Sequence, residues 1–224
     1  EHSEVTLGSD IVVAGRDAYQ LVLTPRTSET LVAKIVVAID VVSTGNPFGQ
    51  RILRFTSTGQ LDTSFDGDGQ AIVDPDEDFS SPGAIAVHAD GRIVVAGRSS
   101  ASLIVSRILE NGAPDTGFGV NGSSLLALAN QQDYSNDLVI TSDGRYRVAV
   151  SANNVNNGPV RPGVLGYTST GSLDTDFGNG GAVWLDWGND AGHALALIED
   201  PSDGTLLVAA YGTDTATALI TRLS

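Results

Sequence analysis

The sequence predicts an all-β chain folded as a small β-propeller, with four blades of four antiparallel strands each. Three observations carry this expectation. One loop recurs three times, as "GQLDTSFDGDG" at 59–69, "GAPDTGFGVNG" at 112–122 and "GSLDTDFGNGG" at 171–181. A β-rich run broken by an Asp-Gly turn also recurs, as "AIAVHADGRIVVAG" at 84–97, "DLVITSDGRYRVAV" at 137–150 and "ALALIEDPSDGTLLVAA" at 194–210. Finally, no stretch holds helical periodicity over three turns. Aligned on Asp62, Asp115 and Asp174, the loops lie 53 and 59 residues apart, slightly longer than the periods that mark propeller arrays.

Taken in order, the first element is an orphan: "EVTLGSDIVVAG" at 4–15 reads as a strand with no repeat partner beside it. Next, "YQLVLTPRTSETLVAKIVVA" at 19–38 keeps the two strands of a hairpin but joins them through a long insertion. The following three hairpins turn at Asp-Gly, where glycine accepts the positive φ of a tight turn. Each unit continues into a third strand, beginning near Arg51, Leu103, Gly163 and Ala218. In the first three units the repeated loop then leads into a fourth strand, from Gln70, Ser123 and Gly181. The sequence reaches Ser224 on the third strand of the fourth unit, so the strand at 4–15 is expected to pair there and close the ring. That closure explains why the loop occurs three times and not four. The units then run 16–74, 75–128, 129–187, and 188–224 with 4–15, as one domain over 1–224. An arc of a larger propeller, or a ring shared by two chains, is the alternative arrangement.

Composition narrows the function classes. Twenty-seven acidic against 12 basic side chains give a net charge of −15, which repels a phosphate backbone and argues against a nucleic-acid partner. Cysteine is absent, which excludes disulfides, thiolate metal sites and cysteine nucleophiles. No apolar run approaches the roughly 20 residues of a membrane span, so a soluble chain without membrane insertion is expected. Methionine is also absent, and Glu1 is therefore read as the start of a processed or excised piece.

The pieces "DGRIVVAG" at 90–97, "TGQLDTSFDGDG" at 58–69 and "TGSLDTDFGNGG" at 170–181 resemble the delta-60 repeat family of bacterial, often surface-associated proteins. The similarity extends over nearly the whole chain. It implies a β-propeller at the bacterial cell surface or outside the cell, and it brings no catalytic residues. The departures are the long insertion in the first unit and "DGRYRVAV" in the third.

Antiparallel strands place the repeated turns at one end of the ring and the remaining loops at the other. The repeated loop reads as scaffold: glycine turns the chain, the Asp side chain bonds nearby amides, and Phe65, Phe118 and Phe177 fill space between blades. The other end carries loops that differ between units, and loops on a rigid scaffold are where binding groups usually sit. There, Asp74, Asp76 and Asp78 alternate in "DPDEDF", a pattern of oxygen ligands that suits calcium, although the glycine and distal acid of a complete calcium loop are missing. The same weighing applies to "DGDG" at 66–69, and no cofactor is expected otherwise. Tyr134, Trp187 and Tyr211 lie among Asn, Asp, Ser and Gly, a mixture able to stack on and hydrogen-bond a glycan. Trp184, in the fourth strand, is expected to pack on the next blade. "NGS" at 121–123 fits a glycosylation acceptor but is explained by the turn it overlaps.

Nucleophile elbows, zinc-type histidine pairs and phosphate loops are not recognisable in the sequence. His193 begins an inner strand near Asp190 and is expected near Asp133 and Arg16 of other blades. That grouping can seat an acid–base pair or a structural hydrogen bond. The sequence thus points to a non-catalytic, monomeric surface module that binds a polar glycan or a protein partner through Arg16, Asp78, Asp133, Tyr134, Trp187, Asp190 and His193. A hydrolase or lyase at the channel mouth, and a purely architectural repeat, are the alternatives.

Overall fold

Strand pairing follows chain order in every sheet of the computed structural model, which describes residues 18–23, 34–41, 49–73, 80–99, 102–127, 134–153, 160–186, 191–213 and 218–223. The first sheet holds β1 (Ala18–Leu23), β2 (Ile35–Val41), β3 (Gly49–Phe55) and β4 (Gln70–Val73). The second holds β5 (Ser80–Val87), β6 (Ile93–Ser99), β7 (Ser102–Ile108) and β8 (Ser123–Ala127). The third holds β9 (Tyr134–Ile140), β10 (Tyr146–Asn153), β11 (Val160–Tyr167) and β12 (Ala182–Trp184). The fourth holds β13 (Gly192–Glu199), β14 (Leu206–Gly212) and β15 (Ala218–Leu223), three strands among the described residues. All pairs are antiparallel. The expected ring-closing strand at 4–15 lies outside the described residues.

Alternation along the strands gives each sheet two faces, and successive sheets bury them against each other. Val36, Ala38 and Ile52 of the first sheet meet Ile85, Ile93, Val95 and Ile108 of the second, with Phe65 filling the gap. Leu103 and Val105 meet Tyr146, Val148 and Leu165 around Phe118. Ala149 and Val164 meet Ala194, Leu197, Leu206 and Val208. Each such side chain removed from water contributes about 1.5–3 kcal/mol, so three interfaces of this kind supply the stability that no single sheet could. On its other face the first sheet carries a separate buried set, Ile35, Val37, Ile39, Leu53 and Phe55. The corresponding face of the fourth sheet carries Ile198, 59% exposed, and Ile220, 76% exposed.

One feature of the strands is not visible in the hydrophobic pattern. Every innermost strand bulges at the same place, skipping Tyr19, Gly83, Asn136 and Leu195 in its register with the second strand. The facing residue is Ala38, Ala96, Ala149 or Ala209, the same small side chain in all four units. A bulge re-aims the strand and increases its twist. At Gly83 the inner strands approach so closely that a Cβ would lie 1.9 Å from the Ser135 carbonyl oxygen.

The two ends separate as the loop repeats imply. Hairpin turns and repeated loops share one end, where the Arg92 guanidinium lies 3.8 Å from Asp115 and Ser142 donates to Glu199.

Candidate functional site

At the repeated-loop end each loop is fixed by an ion-paired latch. In the first unit Arg54 of β3, facing the second sheet, donates from Nε to Asp62 Oδ2 at 2.8 Å, and its guanidinium lies 4.6 Å from the centre of the Phe65 ring. Lys34, just ahead of β2, adds a second cation at 3.0 Å. In the second unit Arg107 pairs with Asp115 at 2.7 Å and lies 4.8 Å from Phe118, with Arg92 as the second cation. The other carboxylate oxygen does the turn chemistry expected of it, accepting from the Ser64 amide at 3.1 Å and the Gly117 amide at 3.0 Å. Burial pushes the Asp62 carboxyl up, but hydrogen bonds from Ser64 and Lys34 and the charge of Arg54 outweigh it and hold the group well below the usual range.

The third unit keeps this latch by moving its arginine. The position of Arg54 and Arg107 is occupied by Gly166, and the residue paired with it across the sheet is Arg147, where the first two units have Val36 and Val94. Cross-strand partners point to the same face, so Arg147 still turns toward the next sheet. It reaches Asp174 at 3.0 Å and lies 4.4 Å from the Phe177 ring, while Arg145 supplies the second cation at 2.7 Å. Phe177 has moved into the space Gly166 leaves, since a Cβ there would lie 2.8–2.9 Å from its atoms. "DGRYRVAV" is therefore a compensated form of the repeat. In the fourth unit Arg222 takes the arginine register opposite Leu207, and it pairs with Asp200 and Asp203 of the hairpin turn.

Between the second and third sheets the latch extends sideways. Arg107 Nη1 donates to the Tyr146 hydroxyl at 2.8 Å, and that hydroxyl lies 2.9 Å from His88 Nε2. Phe118 and His88 both meet the Tyr146 ring edge to face. Burial lowers the His88 pKa, and the Arg92 charge lowers it further. His88 is thus part of an inter-sheet contact.

At the opposite end, the described residues form a pocket of about 310 Å³ between the second and third sheets. Pro82, Gly83, Arg98, Tyr134 and Asn136 line it. Tyr134 is 48% exposed, and the Arg98 guanidinium sits 5.9 Å from its ring centre. Ser135 Oγ in the wall is shielded from water without a hydrogen-bond partner among the described residues. Of the residues named from sequence, Tyr134 is therefore in a pocket. Arg16, Asp74, Asp76, Asp78, Asp133, Trp187 and Asp190 lie outside the described residues.

His193 faces Tyr211 across the β13–β14 pair and stacks on it at 5.2 Å between centroids. Burial lowers its pKa. In register with Tyr211 it shares the open face of the fourth sheet with Ile198 and Ile220. Trp184 differs from expectation, lying over Gly163 of its own sheet and staying 41% exposed, because β12 is only three residues long and sits at the sheet's outer edge. In "DGDG" the Asp66 backbone holds a positive φ of 51°, and the Asp68 carboxylate accepts from the Gln70 amide at 2.9 Å. Asn121 likewise has a positive φ, and Ser123 is buried against Ser106, consistent with a turn. Among the described residues no group of three or more His, Asp or Glu side chains is arranged to hold a metal ion.

The latch arginines carry a sequence signal beyond the loop motif: arginine stands eight residues before the loop aspartate in the first two units. The signal in the third is an arginine replacing an apolar residue inside a buried strand.

Three segments, 34–65, 88–118 and 141–177, match the family described as "Domain of unknown function (DUF5122) beta-propeller". Each matched segment ends on a loop phenylalanine or, for the first, on Phe65 itself, so the latch lies within the matched stretches. Among solved structures, the crystal structure of endo-arabinase from Bacteroides thetaiotaomicron VPI-5482 is similar over 85% of this chain and 71% of that chain, at 14% identity and a TM-score of 0.48. No curated protein matches the chain.

Proposed function

We propose that this chain is a non-catalytic propeller module of the bacterial surface or exterior that binds a polar saccharide at the end opposite the latches. The observation that carries the reading is the pocket beside Tyr134. An exposed aromatic ring next to a guanidinium offers a stacking surface and donors in one place, which is what a sugar ring with its hydroxyls requires. The latches fix the sheets from the far end, leaving the unlike loops free to differ. In the ring we propose, residues 4–15 pair with β15 and the apolar faces of the first and fourth sheets meet, covering Ile198 and Ile220, with the chain a monomer in solution.

A glycan array with the native chain, Tyr134→Ala and Arg98→Ala tests the site. The native chain is expected to bind a saccharide, and each variant to bind about tenfold more weakly, since an aromatic or cation contact of this kind contributes about 1 kcal/mol or more. Saccharide binding unchanged in both variants, or binding only of a protein partner, overturns the reading.

A further inference from the structure

A groove of about 630 Å³ lies between the third and fourth sheets at the latch end, lined among others by Arg147, Asp174, Phe177, Gly178, Arg222 and Leu223. The two preceding sheet junctions show what occupies the equivalent space. After the first loop, the Asp66 amide donates to the Asn111 carbonyl at 2.8 Å, and Arg54 Nη1 donates to the neighbouring Glu110 carbonyl. After the second, the Gly119 amide donates to the Thr170 carbonyl at 2.8 Å, and Arg107 Nη1 donates to the Ser169 carbonyl at 2.5 Å. Both junctions are therefore closed by a tight turn offering two consecutive carbonyls, followed by Gly112 or Gly171. These glycines have φ values of +94° and +87° and press against the preceding loop.

At the third junction the same donors stand in place. Gly178 occupies the position of Asp66 and Gly119 and shares their positive φ, at 59°. Its amide makes no such bond among the described residues. Arg147 Nη1 donates instead to the Tyr146 carbonyl at 3.0 Å. Phe177 is only partly buried, whereas Phe65 and Phe118 are fully buried. β15 reaches the groove at Leu223, in the register of Ile108 and Tyr167, the residues from which the two seated turns begin.

We propose that this groove is the seat for a fourth turn of the chain's own repeat type, a Ser/Glu-Thr/Asn-Gly segment entering directly from β15. Its two carbonyls accept from Arg147 and Gly178, and its glycine closes over Phe177. The proposal is independent of the saccharide site and of ring closure, because the third and fourth sheets alone build the groove.

The test appends Ser-Thr-Gly-Ser-Leu-Asp-Thr after Ser224 of the full chain, in the sequence of residues 169–175, and follows amide exchange by NMR. A seated turn slows exchange of the Gly178 amide by about fivefold or more, the effect of one main-chain hydrogen bond, and raises Tm. A second appended segment with valine in place of the turn glycine should give less than half of that protection, since valine avoids the positive φ. Gly178 exchange unchanged by the first segment overturns the proposal. So does a rise in Tm without Gly178 protection, or equal protection by the valine segment, because the segment would then sit elsewhere.

Discussion

Exchanging the third unit's arginine back to its usual strand tests whether the Arg147 and Gly166 pair is one compensated change. Arg147→Val alone leaves Asp174, whose side chain is 3% exposed, with Arg145 as its remaining cation, and removes the guanidinium over Phe177. Breaking a buried pair costs about 3–5 kcal/mol, and with Arg145 retained a loss of about 2 kcal/mol is expected. Gly166→Arg alone drives a Cβ to 2.8–2.9 Å from Phe177 and sets a second guanidinium beside Arg147. Overpacking of that kind costs about 1–3 kcal/mol. If the two sites were independent, the double variant would lose about 4 kcal/mol. Because Arg147→Val/Gly166→Arg recreates the Val94 and Arg107 arrangement of the second unit and frees Phe177 to shift back, we expect a loss of only about 1 kcal/mol, a coupling of about 3 kcal/mol. Urea unfolding followed by tryptophan emission measures all four chains, and Trp184 reports on the same sheet. Losses that add to within about 0.5 kcal/mol would refute the compensation.

Tyr167→Phe should stabilise the fold by about 1 kcal/mol, read as a higher Tm, because the Tyr167 hydroxyl is buried with no hydrogen-bond partner among the described residues and burial pushes its pKa up. The His88 pKa is lowered on folding, so the unfolded chain binds the extra proton; this stability is complete above the unfolded pKa near 6.5 and is lost as pH falls toward the lowered value. His88→Gln should therefore flatten the dependence of unfolding free energy on pH between about 7 and 5, and an unchanged slope would count against the inter-sheet role. Gly171→Ala should cost more than Gly144→Ala by about 1–3 kcal/mol in urea unfolding. Both glycines have positive φ, but a Cβ at 171 meets Phe118 at 2.9 Å whereas one at 144 meets nothing within 4 Å.

The hairpins and the division into two ends were legible because local chemistry decides them. An Asp-Gly turn between alternating apolar residues leaves few other conformations, and the third strand then has to return beside the second. The bulges at Tyr19, Gly83, Asn136 and Leu195 were hidden because those residues share no chemical type; the common element is the alanine facing each of them, which looks like any small core residue. Tyr134 could be assigned to the variable-loop end from its place among the polar loop residues ahead of an inner strand. The His193 stack on Tyr211 could not, because it depends on the register of β13 against β14 across the bulge at Leu195, and one residue of slip would send the ring to the other face.

The latch makes a broader point about reading repeats. Aligning units by identity marks Gly166 and Arg147 as two separate departures, each apparently weakening the third unit. Cross-strand register makes them one event: positions 147 and 166 are opposite each other, so an arginine can move between them and keep its face, its carboxylate and its ring. What the repeat preserves is a guanidinium between an aspartate and a phenylalanine on the side facing the next sheet. Cross-strand register alone relates Arg222, opposite Leu207, to Arg54 and Arg107. Its side chain is 51% exposed and borrows Asp200 and Asp203 from its own hairpin turn, where the first three units hold a loop aspartate.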